Sequence, residues 1–219
     1  MKILAIDTAT ERCSVALSLG ERLIERSTDV QRGHAELILP MIAEVLEEGG
    51  QSLQALDGVA YGRGPGAFTG VRIAIGVVQG LAFGARLPTV GISDLAAVAQ
   101  QVARPGDQIL VCMDARMGEV YWARFTLDSG SAHVRAMSEE RVDRPESIPR
   151  QSSDVFAGTG FKAYPQMVAP GAPSVHESVL PRAREIAALA ETEFLAGRGL
   201  PAARAAPVYL RDRVAFVKK

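Results

Sequence analysis

Two aspartates each close a short apolar run: Asp7 in KILAIDTAT and Asp114 in ILVCMDARMGEV. A carboxylate at the end of a buried strand can hold a hydrated Mg²⁺ or orient a catalytic water when a phosphate lies beside it. One such aspartate per half of the chain is what a nucleotide cleft between two lobes would use. The loops that should accompany them are thin. Asp7 is followed by TATER, which has no glycine, and Asp114 by ARMGE, where glycine comes late. A phosphate-cradling hairpin uses glycine so that its amides can approach closely. The alternative is that both aspartates end strands and cap turns, and the residues leave the two readings open.

The stretch GRGPGAFTG, residues 62–70, precedes an apolar helical run and resembles an anion-binding loop at a helix N-terminus. It lacks the Lys-Ser/Thr ending of a P-loop and the spacing of a dinucleotide fingerprint. A turn that sets the helix against a sheet explains the same glycines. His34, His133 and His176 are far apart, so no histidine pair at i,i+4 can bind a metal. No G-x-S-x-G elbow supports serine-hydrolase chemistry. Cys13 and Cys112 sit in apolar runs and read as buried hydrophobes. Arg72 is the one charge in the apolar helix and needs a partner, because a buried unpaired arginine is very costly.

The elements that must position these residues occur twice. Residues 1–100 read strand, strand, strand, helix, strand, helix, strand, and residues 107–197 begin the same way with one element missing. KILAID and ILVCMDA are buried first strands. HAELILPMIAEVLEEGG places Leu37, Ile38, Met41, Ile42, Val45 and Leu46 at helical spacing, with Pro40 expected to bend or break it. The helix after Thr69, taken as its N-cap, is apolar on nearly all sides, with Gly76, Gly80 and Gly84 four residues apart. A helix apolar all round belongs in a core or a subunit interface. Ser93 caps the next helix. HVRAMSEERV reads as one strand, PQMVAPGAPS as loop, and RAREIAALAETEFLAG as an amphipathic helix.

With 219 residues, 47% of them hydrophobic and 5% aromatic, the core rests on Leu, Ile, Val and Ala, as in layered α/β proteins. A net charge of −1 excludes a general electrostatic nucleic-acid binder. From Arg182 onward eight Lys/Arg face four Asp/Glu. That tail reads as a solvated end or as a contact to RNA phosphates or an acidic partner. MKILAID has four apolar residues before its aspartate, too few for a signal-peptide core. No apolar run approaches the ~20 residues of a membrane helix. The expected location is the cytoplasm.

At GRGPGAFTGVRIAIGVVQGLAFGARLPTVGISDLAAVAQ, together with AIDTATERCSVAL, DARMGEVYWA and PVYLRD, the chain closely resembles the TsaB (YeaZ) family. The likeness weakens between about residues 128 and 200. It implies an α/β fold of the actin/Hsp70/sugar-kinase (ASKHA) type, in which two lobes each carry a mixed sheet and flanking helices by internal duplication. The lobes would span 1–104 and 105–219, the tail packing back on the first.

The resemblance also implies work in making N6-threonylcarbamoyladenosine beside the tRNA anticodon. There the chain would be a non-catalytic dimerisation partner of the transferase TsaD, joined by the ATPase TsaE, with tRNA met mainly through the complex. Alone it would form a homodimer, and no membrane is involved. TsaD-like chains carry a metal-binding H-x-x-x-H where this sequence has Asp94 and Val98, and valine cannot ligate a metal. No metal site or catalytic residue is therefore carried over. Asp7, Thr8, Asp114, Gly158 and Gly160 are the candidates for a vestigial nucleotide cleft. No cofactor is required, and at most weak ATP or ADP binding is expected. The family dimerises through its first two helices, here about 35–48 and 69–84, with Leu37, Met41, Val45, Val71, Ile75, Val78, Gly76 and Gly80 as interface candidates. The competing readings are an active small-molecule kinase or ATPase of the same fold, and a glycoprotease-type metallopeptidase.

Overall fold

The computed structural model describes residues 1–152 and 154–211. The first half contains β1 (Lys2–Asp7), β2 (Arg12–Leu19), β3 (Arg22–Asp29), α1 (His34–Gly49), β4 (Gly58–Gly62), α2 (Phe68–Ala85), β5 (Thr89–Ile92) and α3 (Asp94–Val102). The second contains β6 (Gln108–Asp114), β7 (Val120–Thr126), β8 (Arg135–Ala136), β9 (Arg141–Asp143), β10 (Val155–Ala157), α4 (Gly160–Ala163), β11 (Ser174–His176) and α5 (Ala183–Leu195).

The duplication is explicit in the sheets. The first has the order β3-β2-β1-β4-β5, and the second β11-β10-β6-β7-β8, with β9 also on β7. In each, the opening strand is central. β1 pairs antiparallel with β2 and parallel with β4; β6 pairs antiparallel with β7 and parallel with β10. The missing element is the counterpart of α1, replaced by a loop with a short 3-10 turn at Pro145–Ser147. Two expectations change. HVRAMSEERV forms two strand fragments rather than one, because Met137 and Ser138 bond Arg124 between them. PQMVAPGAPS ends in β11, an edge strand too short to show a period.

β1 is buried on both faces, which explains its unbroken apolar run. Leu4 and Ile6 face α1 and α2, joining Val15, Ile38, Val45, Val71 and Val78. Ile3 and Ala5 face the other way, against Ile186 and Ala190 of α5 and Ala97 of α3. The opposite face of α3 packs Leu95 and Val98 on Ile109, Val111 and Phe125 of the second sheet. Leu110, Cys112 and Phe156 close the far side over Phe161 and Met167. The layers therefore run helices, sheet, helices, sheet, helix. Although α5 follows residue 104 in sequence, it covers the first sheet.

α2 is long and apolar enough to cross a membrane by length and composition. Here Val71, Ala74, Ile75, Val78 and Ala82 lie in the core over the first sheet. It starts at Phe68, with Ala67 rather than Thr69 at the N-cap and no side-chain cap. α1 is continuous from His34 to Gly49 with Pro40 inside it, the proline on the exposed face. Ser93 caps α3 as its type suggests, accepting the Ala96 N–H at 3.1 Å.

Candidate functional site

A cavity of about 1330 Å³ opens between the two lobes. Its walls are the turn after β1, the first turns of α1 and α2, the loop after β6, α4 and residues 208–211. Thr8 and Asp114 line it, whereas Asp7, Gly158 and Gly160 do not.

Asp7 is fully buried and lies beside Asp94, also fully buried at the start of α3. The two carboxyls face each other across Gly62, and Asp7 Oδ2 and Asp94 Oδ1 are both buried without a hydrogen-bond partner. Asp7 Oδ1 accepts the Ala9 N–H at 2.9 Å, and Asp94 Oδ2 accepts the Gly64 N–H at 2.6 Å. Burial pushes the Asp7 carboxyl from 3.8 up to about 6, against the pull of the Ala9 N–H and its other hydrogen bonds. Burial and then the charge of Asp7 push Asp94 well above the usual carboxylate range. A Cβ on Gly62 would sit 2.4 Å from Asp94 Oδ1 and 2.5 Å from Asp7 Oδ1, so glycine is required there. Gly62→Ala is expected to cost about 3 kcal/mol in urea unfolding; a loss below about 0.5 kcal/mol would show that the pair has room to move.

The glycine loop serves packing. A Cβ on Gly66 would lie 2.4 Å from the Ala9 carbonyl oxygen, and one on Gly70 2.0 Å from that of Thr8. The Ala67 N–H donates to Ala9 O at 2.7 Å, and the buried Thr8 hydroxyl donates to Gly70 O at 2.7 Å. Loop and helix start are thus pressed onto the β1–β2 turn, the position where a phosphate hairpin would need open amides. On the opposite wall Asp114 accepts the Arg116 N–H at 2.8 Å and pairs with the Arg116 guanidinium at 3.0 Å. Its own N–H donates to Thr159 Oγ1 at 3.1 Å. Gly158 and Gly160 flank that threonine, but their missing Cβ atoms make room for Cys112, at 2.4 Å and 2.8 Å. They seat α4 on β6 rather than a phosphate in the cleft.

For metal chemistry, Val98 lies in the apolar core between the sheets and Asp94 faces Asp7. Among the described residues no group of three or more His, Cys, Asp or Glu side chains is placed to hold a metal ion. His34 binds the Thr10 carbonyl at 2.9 Å. The basic end of the tail beyond Arg211, a candidate contact for tRNA, lies outside the described residues.

The outer face of the first lobe differs from the sequence expectation in its facing. Val45, Val71, Ile75 and Val78 are core residues and cannot meet a partner. Leu37 and Met41 are half-buried against the same core, Met41 with its sulfur 3.9 Å from Cys13 Sγ. Gly76 and Gly80 are exposed, and a Cβ on either, or on Gly84, would touch nothing within 4 Å. The outward surface is this glycine ridge, with Leu39 53% and Phe83 80% exposed and Ile73, Val77 and Leu81 half-buried along its flank. Of the interface candidates named from the sequence, Gly76 and Gly80 lie on this outward ridge, whereas Val45, Val71, Ile75 and Val78 are turned into the core.

The family model described as "TsaD: tRNA N6-adenosine threonylcarbamoyltransferase" matches residues 26–215. The tRNA threonylcarbamoyladenosine biosynthesis protein TsaB of Escherichia coli K12 is 41% identical, covering 100% of this chain and 98% of its own length. The protein of that name from Haemophilus influenzae is 37% identical over 100% and 97%. Among solved structures, YeaZ from Pseudomonas aeruginosa superposes with a TM-score of 0.88 at 42% identity, over 95% of this chain and 99% of that one. A second Pseudomonas aeruginosa structure, titled as similar to peptidase YEAZ, has the same TM-score at 41% identity, over 96% and 99%.

Proposed function

Because the chain belongs to the TsaB (YeaZ) family, we propose that it acts in tRNA threonylcarbamoyladenosine biosynthesis as a non-catalytic partner of a TsaD-like transferase. The fold is the two-lobed ASKHA type shared with that family. The observation that carries the partner reading is the outer face of α1 and α2. It is an apolar helical surface whose ridge is glycine, so another helix can approach its backbone. A TsaD-like subunit docks there, a TsaE-like ATPase joins the pair, and a homodimer uses the same face when the partner is absent.

The cleft supports this division of labour. Asp7 is paired with Asp94 beneath the floor, and the glycines that would cradle phosphate are filled by backbone. Neither a cofactor nor a metal is needed for a subunit that works by presenting a surface. The kinase or ATPase reading retains Asp114 on the cavity wall. Asp114→Asn keeps the side chain's shape and removes its charge. We expect tRNA modification in the reconstituted system to stay within about twofold of the parent. A loss of tenfold or more, about 1.4 kcal/mol, would return catalysis to this cleft.

The direct test is omission. TsaD, TsaE, threonylcarbamoyl-AMP, ATP and unmodified tRNA are combined with and without this chain, and modified adenosine is counted. Modification that depends on the chain, with no ATP turnover or peptide cleavage by the chain alone, is the expected result. A dispensable chain, or one that turns over ATP by itself, overturns the reading.

A further inference from the structure

After α5 the chain turns through a 3-10 segment at Ala202–Arg204 packed on α2, then runs as an extended strap to Arg211. The strap is fastened to the first lobe along its length. Gln79 Nε2 donates to Ala205 O at 2.9 Å, the Ala206 N–H donates to Tyr61 Oη at 3.0 Å, and the Val208 N–H donates to Arg63 O at 2.8 Å. Gly64, at φ +95°, has no Cβ to obstruct it; one would lie 3.1 Å from Val208 O. Tyr209 stacks on Phe68 with ring centroids 5.7 Å apart. Arg72, the single charge on α2, lies 3.7 Å over the Phe68 ring and donates from Nε to Tyr209 Oη at 2.7 Å. The arginine that the sequence leaves without a partner is therefore the clasp of the strap.

The end of the strap belongs to the other lobe. Arg211 Nη2 donates to the Ala115 carbonyl at 3.2 Å and pairs with the Glu119 carboxylate, in the hairpin between β6 and β7. That hairpin carries two successive non-glycine residues with positive φ, Arg116 at 61° and Met117 at 58°, followed by Gly118 at 78°. Backbone held in this region must be over-determined by its surroundings, and such strain gathers at clamps and switches. Val208, Tyr209, Leu210 and Arg211 all line the interlobe cavity. A further lobe-to-lobe ion pair, Arg63 with Glu140 at 2.9 Å, involves neither cavity wall.

We propose that residues 205–211 are a latch across the mouth of the cleft, fixed to the first lobe by Arg72 and Tyr209 and closed onto the second by Arg211. With Arg211 seated, the β6–β7 hairpin is held toward the start of α2. With it released, the lobes part about the α3–α5 layer that packs between the sheets, and the cavity opens. The latch also lies at one end of the outward face of α2, so its state is set beside that surface. The proposal concerns the chain alone and does not require the partner reading.

The test is the distance between the lobes. Arg32 and Lys162 are exposed on opposite walls of the cavity and accept spin labels through Arg32→Cys and Lys162→Cys. The native thiols are buried, Cys13 pushed up to about 11, so labelling is specific to the new sites. Pulsed dipolar spectroscopy on this parent should give one dominant short distance. Arg211→Ala and Glu119→Ala should each raise the ratio of long to short distances about tenfold, the scale of a charge-assisted hydrogen bond, and the two together should add little beyond either. Arg72→Ala, which frees the other end, should do the same. Distance distributions that superimpose on the parent overturn the latch. It is equally overturned if hydrogen exchange at the Val208 amide rises in Arg211→Ala while the distances stay unchanged, because the strap is then packing alone.

Discussion

Asp94→Asn is expected to raise the stability of the protein at pH 8 and to flatten its dependence on pH between about 4 and 8. Asp7 and Asp94 lie side by side without access to water. Two ionised carboxylates cannot share that site, so the folded chain retains protons that the unfolded chain releases. The sign follows from the raised values. A carboxyl whose folded pKa lies above its unfolded one contributes fully below the unfolded value of 3.8. That contribution falls as pH rises toward about 6 for Asp7, and further for Asp94, which lies higher in direction. Asparagine at 94 keeps an oxygen for the Gly64 N–H and turns an N–H₂ toward Asp7, which then ionises against a donor instead of another carboxyl. The gain at pH 8 should be roughly 1–3 kcal/mol, at about 1.4 kcal/mol per pKa unit, and should vanish near pH 4. Urea titrations of both proteins across this range measure it. A variant less stable than the parent at pH 8 would mean that the carboxyls are not competing for a proton.

Gly76→Arg and Gly80→Arg are expected to leave folding intact and to weaken binding of a TsaD-like partner at least a hundredfold. Both sites lie on the exposed ridge of α2, and nothing stands within 4 Å of an added Cβ. Replacing glycine inside a helix even favours folding, by about 0.5–1 kcal/mol. A long charged side chain there blocks the close approach of a second helix and strands a charge in the interface. A hundredfold is about 2.7 kcal/mol, within the usual range for a lost interface centre. Val78→Arg is the contrasting variant, because Val78 is wholly buried and should unfold the chain. Calorimetric titration against the partner, with thermal melts of each variant, reads both effects. Binding within threefold of the parent in the glycine variants would move the interface off this face.

The two variants differ in how much of their basis could be read from residue order. The glycine spacing at 76, 80 and 84 and the all-round apolar character of α2 are visible in the string, and they correctly imply a helix with a smooth side. Its outward direction is not visible. In an evenly apolar helix no polar stripe marks the solvent side, so facing is decided by which row of side chains fits the sheet: Val71, Ala74, Ile75, Val78 and Ala82 pack inward, while Phe83 stays exposed. Met41 stands on α1 beside buried Ile38 and Val45, three and four residues away, and its sulfur turns in toward Cys13.

Residue order carries most of the series of elements, the doubling of the sheet plan and the buried first strand of each half. Those follow from local periodicity, capping residues and glycine placement, which act over a few residues. Long-range packing decided that Asp7 faces Asp94 rather than the cleft and that Gly158 and Gly160 seat a helix. It also decided where the returning tail is pinned, Tyr209 meeting Arg72 and Arg211 meeting Glu119. These contacts join residues tens to more than a hundred positions apart. Their geometry depends on how whole layers stack, and no local propensity carries that information.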